Sequence, residues 1–473
     1  MGQWITKELA EYAVSTSIET YPVTAIEQAK LFILDTIGCM VGGTETALGK
    51  TMATTLQKAG GGGNSTIVGT DLKLSVADAA LLNGTTANAL DFEETLAGIG
   101  HPSGTVIGAA LAVGEDRGIS GAEFLDAVLV GYDIGNRIGR AIQPTYERLQ
   151  KVWFVGTWQT FSAVSAASKC LKLDLARTLN AYGTAGATAP LPNTQKWGWE
   201  LDERPIHWAK EPTGWPSWTG TIAALLAEDG FVGNRFILDG DKGFWAMAGS
   251  DRVDYSLMRR NLGTEFEVMN LSFKPYSCCR WQHAALDCIA ELIGRLDLHA
   301  DDVSAVDIYT FDWVQNFEVY GPVDLVDACF SMPHSVTMML HRITPGPKWF
   351  VPEVLRSEKL IEYSRRVKVK FDDHYNRRYH EHSKIGARVE LTLKSGETVS
   401  TSADTPTGTP EKPMSQQAIE DKFLSMVAPV LGDRAASDCL LRITELEESR
   451  NIGDILQLTR KPKYAQAVRL NAN

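Results

Sequence analysis

The chain has 473 residues, of which 44% are hydrophobic and 22% are charged. This composition is typical of a soluble globular protein and excludes a wholly disordered, collagen-like or coiled-coil chain. The formal net charge of -12 has the wrong sign for non-specific binding to nucleic acid, so we expect no nucleic-acid partner. An acidic chain that binds an acidic ligand needs a local cationic pocket.

The first half of the chain is predicted to be helical. In residues 23–43 the apolar positions nearly surround the helix axis, which is typical of a buried helix. Runs rich in small and apolar residues predict further, closely packed helices at 74–90, 104–116, 121–139, 156–172 and 217–228.

From about residue 267 the pattern changes to alternating apolar and polar residues, which predicts strands. These strands lie in 304–311, 366–371 and 387–403, and Ser395-Gly396 marks a hairpin turn. Helices are predicted at about 277–295, at 333–342 and from Ser415 onward. The histidine-rich segment 374–382 is very polar, and we interpret it as a solvated loop rather than a metal site.

The predicted fold class is mainly α. A large all-helical domain comprises residues 1–266 and is completed by 412–473, and a smaller α+β lid domain comprises 267–411.

The seven cysteines form no CxxC pair and no closely spaced framework, so we predict neither a zinc site nor a disulfide scaffold. Scattered thiols fit a reducing compartment. The N-terminal residues lack the apolar core of a signal peptide, and no run approaches about 18 apolar residues. We therefore expect a cytoplasmic protein with no metal and no membrane partner.

The first candidate site residue is His101, which precedes a predicted helix with Ser103 as its N-cap. The positive end of that helix suits a carboxylate ligand. The alternative is a plain turn that carries a surface histidine.

Three further places combine a cationic or titratable side chain with a predicted helix start. Lys274 and Arg280 bracket one start, with Tyr276 between them. His334 falls in the first turn of another, where the helix dipole should lower its pKa and favour the neutral base; a half-buried structural histidine is the alternative. Lys210 precedes the helix predicted near residue 217.

Several motifs together resemble the MmgE/PrpD family, which includes 2-methylcitrate dehydratases, cis-aconitate decarboxylases and an iminodisuccinate epimerase. The motifs are ALDFEET at 89–95, HPS at 101–103, KPYSCCR at 274–280 and the opening LFILDTIGCMVGG. The resemblance implies a helical domain with a smaller lid, chemistry without a cofactor, a homodimer and a site between the domains.

Within this resemblance His101 matches the histidine of HPS, Lys274 matches the lysine of KPY, and Asp91 matches the aspartate of the LD motif. Lys210 falls near the family's other lysine. The resemblance and the helix-start reasoning together give the catalytic candidates His101, Lys274, His334 and Lys210. The substrate-binding candidates are Asp91, Thr95, Leu96, Ser103, Trp153, Tyr276 and Arg280.

Three positions depart from the family pattern. Leu96 replaces the histidine that usually follows the acidic pair, Trp153 stands where a histidine is expected, and His334 replaces a tyrosine. The loss of the two histidines at Leu96 and Trp153 and the gain of a tryptophan favour a more apolar substrate, such as an alkylated citrate or aconitate made in secondary metabolism.

The family reactions pass through or near a carbanion next to a carboxylate, which needs a base and a cationic site. Our leading hypothesis is a lyase that dehydrates an alkylcitrate-like acid. A decarboxylase of an aconitate is the nearest alternative, followed by an epimerase or isomerase. An inactive homologue that binds a small acid is the non-enzymatic alternative.

Overall fold

The computed structural model describes residues 4–60, 62–149, 151–152, 155–192 and 213–461. The elements of the described residues up to 266 are mainly helices, as predicted. Their helices are α1 (Ile5–Ser15), α2 (Val23–Thr44), α3 (Ala47–Gly60), α4 (Val76–Asn88), α5 (Pro102–Arg117), α6 (Gly121–Ala141), α7 (Tyr146–Leu149), α8 (Val155–Trp158), α9 (Thr160–Cys170), α10 (Leu175–Thr188), α11 (Gly214–Glu228), α12 (Phe244–Met247) and α13 (Tyr255–Arg259).

Small residues let the central helices of this part approach closely. A Cβ atom added to Gly104 of α5 would lie only 3.1 Å from the carbonyl oxygen of Gly84 in α4. Two short antiparallel pairs accompany the helices: β1 (Ser65–Thr66) with β2 (Lys73–Leu74), and β3 (Thr95–Leu96) with β4 (Leu271–Ser272).

The following residues form a small α+β unit around a four-stranded sheet of order β6-β5-β7-β8. Strands β5 and β6 are parallel, and the other neighbours are antiparallel. The predicted hairpin at residues 395–396 is confirmed. The elements are α14 (His283–Leu296), β5 (Val303–Thr310), α15 (Asp312–Gln315), α16 (Leu325–Cys329), α17 (Met332–Leu340), α18 (Pro352–Leu355), α19 (Glu358–Ser364), β6 (Val367–Phe371), α20 (Asp373–His382), β7 (Ala387–Leu393) and β8 (Thr398–Ala403).

The prediction of a loop at 374–382 was wrong, because this segment forms α20. The Asp372 carboxylate caps it by accepting hydrogen bonds from the backbone amides of His374 and Tyr375. Tyr375 is buried, and Tyr379 one turn later stacks on Phe311 with ring centroids 4.0 Å apart. Two tyrosines on one face are enough to dock an otherwise polar helix.

The last helices return to the first part of the chain: α21 (Gln416–Leu431), α22 (Asp433–Thr444) and α23 (Ile452–Leu458). Their apolar residues belong to the same hydrophobic cluster as those of α1, α2, α5 and α6, and a second cluster fills the α+β unit. The mainly α fold with a small sheet agrees with the prediction. We keep the division at residues 266 and 411 as a proposal.

Within the described ranges, no single helix is long and apolar enough to cross a membrane. Helices α2 and α3 taken together are long and apolar enough for such a span, but the chain bends by 80° between them.

Candidate active site

A buried loop between α4 and α5 places the acidic motif beside Lys274. Asp91 adopts a left-handed conformation with φ of 48°, which aspartate tolerates better than most residues. Its backbone amide donates to the carbonyl of Asn88 over 2.9 Å, which closes a tight turn after α4. Further on, Thr95 pairs with Ser272, so the loop runs alongside the strand that leads to Lys274.

Lys274 and Asp91 form an ion pair whose side chains are both 0% exposed. The Lys274 Nζ atom also donates to the Asp91 backbone carbonyl over 3.0 Å. Removal of either partner from such a pair would leave an uncompensated buried charge. The sequence-predicted lysine and aspartate therefore meet in the structure, and the pair holds the Lys274 ammonium group in a fixed position inside the protein.

His101 is buried, with 5% exposure, so it is not the surface histidine of a plain turn. Its Nδ1 atom lies 2.7 Å from the backbone carbonyl oxygen of Glu94 and 3.2 Å from Glu93 Oε1. Because a carbonyl oxygen only accepts, Nδ1 carries a proton, and the neutral ring keeps its lone pair on Nε2. The Asn88 side-chain amide donates to the same Glu93 oxygen and holds that carboxylate in place.

The helix start next to His101 differs in detail from the prediction. His101 itself occupies the N-cap position of α5, where Ser103 was expected. Instead, the backbone amide of Ser103 donates to Glu94 Oε1 over 2.8 Å, and its hydroxyl lies 2.5 Å from the Tyr132 hydroxyl. The positive end of α5 thus already holds a carboxyl group of the chain itself.

Glu94, the second glutamate of the acidic motif, has a strongly raised pKa. Burial and the neighbouring Glu93 carboxylate raise the pKa of Glu94 from 4.5 to about 8. At neutral pH it is therefore mostly protonated, which leaves Glu93 as the charged group beside His101. Sequence reasoning quoted both glutamates within the acidic motif but gave neither a role.

His334 is buried in the first turn of α17. Its Nε2 atom lies 3.0 Å from the Trp349 carbonyl oxygen, and its backbone amide donates to Ser331 Oγ over 3.1 Å. Burial lowers its pKa from 6.5 to about 4, so the ring is neutral at pH 7 with its lone pair on Nδ1. The predicted direction is correct, and burial is its main cause.

No hydrogen bond or ion pair between described residues joins His334 to His101 or Lys274. Val336 and Met338 of α17 belong to the same hydrophobic cluster as Cys278, which follows Lys274 by four residues. Helix α17 therefore packs in the same part of the core as the segment that follows Lys274, and a proton-transfer role for His334 stays a prediction.

Arg280 has contacts that favour a structural role over the predicted contact with substrate. Its guanidinium donates to the backbone carbonyls of Phe273, Pro406 and Thr407 over 2.8–3.3 Å. It also lies 3.1 Å from Nδ1 of His283, whose pKa is held well below 6.5 by burial and by this cation. Arg280 and His283 together tie the residues around 406 to the start of α14.

Other predicted substrate contacts are also engaged within the fold. The Tyr276 hydroxyl donates to Asp287 Oδ1 over 3.0 Å, and Thr95 Oγ1 donates to the Gly100 carbonyl over 3.2 Å. Leu96 packs in the larger hydrophobic cluster. These contacts favour support of the loop, and binding of substrate by these residues stays a prediction.

Lys210 and Trp153 lie outside the described residues. Within the described part of the chain, no group of three histidine, cysteine, aspartate or glutamate side chains could hold a metal ion.

Two family models match the amino-acid sequence, one after the other along the chain. The MmgE/PrpD N-terminal domain matches residues 7–255, and the MmgE/PrpD C-terminal domain matches residues 276–445. The chain belongs to the MmgE/PrpD family.

Several characterised relatives are similar over nearly the whole chain. A cis-aconitate decarboxylase-like protein of Aspergillus oryzae is 22% identical over 96% of this chain and 97% of its own length. The cis-aconitate decarboxylases of Mus musculus and Homo sapiens are 25% and 24% identical over 92% of this chain and 89% and 90% of theirs. These relatives support an activity of the lyase type for a member of this family.

Proposed function

We propose that this protein is a cofactor-independent lyase that decarboxylates an acid of the cis-aconitate type. The observation that carries the proposal is one loop that presents two features: the buried Lys274–Asp91 pair and the His101 ring oriented by Glu93 and Glu94. The relatives named as cis-aconitate decarboxylases support this reaction over dehydration, which the sequence alone favoured.

The chemistry of decarboxylation needs both features. When CO₂ leaves, the carbon–carbon bond breaks and its electron pair stays on the substrate, where it delocalises through the double bond towards a second carboxylate. We assign Lys274 to that developing enediolate: two of its three N–H groups serve Asp91, and the third is assigned to the substrate oxygen. For this step His101 must first take up a proton from solvent on Nε2, and the adjacent Glu93 carboxylate stabilises the resulting imidazolium. The Nε2 proton is then transferred to carbon and forms the new C–H bond, which returns the ring to its neutral Nδ1–H form.

The expectation of an alkylated substrate rested on Leu96 and Trp153. Leu96 packs in the hydrophobic core, and Trp153 lies outside the described residues. The proposed substrate is therefore the cis-aconitate class as a whole, without a commitment to an alkyl chain.

A substrate panel tests the proposal. The purified chain is incubated in D₂O with cis-aconitate, an alkylated aconitate, citrate and an alkylcitrate, and the products are read by mass spectrometry. We expect loss of CO₂ with one deuterium gained on carbon, abolished by His101→Gln but retained by His382→Gln on the exposed end of α20. Gain or loss of water, deuterium uptake without loss of CO₂, or no reaction would contradict it.

A further inference from the structure

A second buried ion pair lies behind the acidic loop and involves a lysine from the far end of the chain. Lys422 of α21 pairs with Asp35 of α2 at an Nζ–Oδ1 distance of 2.6 Å, with side chains 5% and 0% exposed. The same Nζ atom donates to the Phe92 backbone carbonyl over 2.6 Å and lies 4.0 Å from the centroid of the Phe92 ring.

Phe92 stands between the two acidic residues that build the site. Asp91 precedes it and pairs with Lys274, and Glu93 follows it and contacts His101. A shift of the Phe92 carbonyl would therefore move both features of the site together. Lys422 donates a charged hydrogen bond to that carbonyl, and its ammonium group also lies over the Phe92 ring. Both contacts restrict the position of Phe92.

A buried ion pair is poorly explained by stability alone. Desolvation of the two charges offsets most of their attraction, and well-packed apolar residues often stabilise a core as well or better. Burial raises the pKa of the Asp35 carboxyl group, and the positive charges of Lys422 and Lys274 oppose that rise. The pair thus belongs to the same electrostatic unit as the site.

We propose that Lys422 and Asp35 are positioning residues that fix the loop at 91–94 in its active geometry. This inference rests on the proposed function for its catalytic readout. It assigns to the returning helix α21 a role in the site, in addition to its packing against α2.

The chain offers a control lysine on α2, the helix that carries Asp35. Lys30 of α2 is 7% exposed, donates to the Thr444 carbonyl over 3.0 Å and pairs with Glu447 over 2.9 Å. Lys30 also pairs with Glu27 over 2.8 Å, and its two glutamate partners are exposed rather than buried. It resembles Lys422 in side-chain burial and in joining α2 to the C-terminal residues, but its described contacts do not include the acidic loop.

The experiment compares Lys422→Met with Lys30→Met. We expect both to lower the Tm, whereas only Lys422→Met lowers kcat, by about 10–100-fold with KM changed by less than about threefold, because reacting groups are displaced while binding is retained. Asp35→Asn, which conserves shape, should lower kcat in the same way and serves if Lys422→Met does not fold.

A second readout does not depend on turnover. In protein labelled with ¹⁵N-histidine, the Nδ1–H signal of His101, assigned by its loss in His101→Gln, should shift or broaden in Lys422→Met, or in Asp35→Asn, but not in Lys30→Met. Inactivity of the wild-type chain would overturn the proposed function, and this signal would still decide the positioning role. Unchanged kcat and an unchanged His101 signal in the Asp35 and Lys422 variants would overturn the inference.

Discussion

At the scale of single residues, the basicity of His101 depends on the two groups that lie next to its Nδ1 atom. The Glu94 carbonyl fixes the tautomer, and the nearby Glu93 carboxylate stabilises positive charge on the ring. The same ring with only the carbonyl as a neighbour would be oriented equally well but would be a weaker base.

Substitution of these two residues should therefore have graded effects on catalysis. His101→Gln removes the proton-transfer group and should lower kcat by about 10²–10⁴-fold. Glu93→Gln keeps a hydrogen-bonding side chain but removes the charge that stabilises protonated His101. It should lower kcat by about tenfold for each unit by which the pKa of His101 falls. Steady-state kinetics with His382→Gln as the control checks both, and a normal kcat for His101→Gln would remove this residue from the mechanism.

Glu94 makes the stability of the protein depend on pH in a predictable direction. Its pKa is raised from 4.5 to about 8 on folding, so between these values the unfolded chain loses a proton that the folded chain keeps. Rising pH therefore disfavours the folded state across this window. Glu94→Gln keeps an acceptor for the Ser103 amide but no longer titrates.

The wild-type free energy of unfolding should fall relative to Glu94→Gln by about 2–5 kcal/mol between about pH 5 and about pH 9. Denaturant unfolding of both proteins across that range measures the difference. Parallel pH curves for the two proteins would show that Glu94 is ionised throughout.

At the scale of elements, α17 carries His334, a predicted catalytic residue that no described hydrogen bond or ion pair joins to His101 or Lys274. The Ser331 hydroxyl caps this helix by accepting the His334 backbone amide, and it also donates to the Val319 carbonyl over 2.6 Å. The cap therefore sets the position of the turn that presents the His334 ring.

Loss of the cap separates a catalytic from a structural role of that turn. Ser331→Ala should destabilise the protein by about 1 kcal/mol, and so should Ser357→Ala at the start of α19, where Ser357 caps the Leu360 amide. If His334 transfers a proton, only Ser331→Ala also lowers kcat. Equal kcat values for the two variants, measured beside their unfolding curves, would leave His334 as a core residue.

The sequence predicted the secondary-structure elements better than it predicted the contacts of individual side chains. Runs of small apolar residues and alternating strands follow from burial and pleat, and both patterns are local. The loop predicted in place of α20 was wrong because two tyrosines one turn apart can dock a polar helix. Arg280 looked like an anion ligand because the carbonyls that occupy it come from residues 406 and 407, far along the chain.

At the scale of the whole molecule, the site depends on contacts between distant parts of the chain. Lys422 and Phe92 are 330 positions apart, and Lys274 and Asp91 are 183 positions apart. The resemblance of the motifs to those of a family predicted that Lys274, Asp91 and His101 share one site. No local pattern around Lys422 distinguishes it from the other lysines of a surface helix, so its role required the fold.

The proposed chemistry uses only side chains of the protein, and it predicts that activity survives exhaustive chelation. Activity should be unchanged after prolonged dialysis against EDTA, measured with metal analysis of the dialysed protein. Inactivation that one particular metal reverses would contradict the assignment of Lys274 as the cation that holds the enediolate.

The most direct test of the central claim is the release of CO₂ from cis-aconitate by the wild-type chain in D₂O, compared with His101→Gln and Lys274→Met. The account predicts that each CO₂ released by the wild type is matched by one deuterium on the carbon that lost it or on its conjugated neighbour, and that both variants lose this turnover. CO₂ release that persists in both variants, or a wild-type product that differs from the substrate only by water, would contradict it.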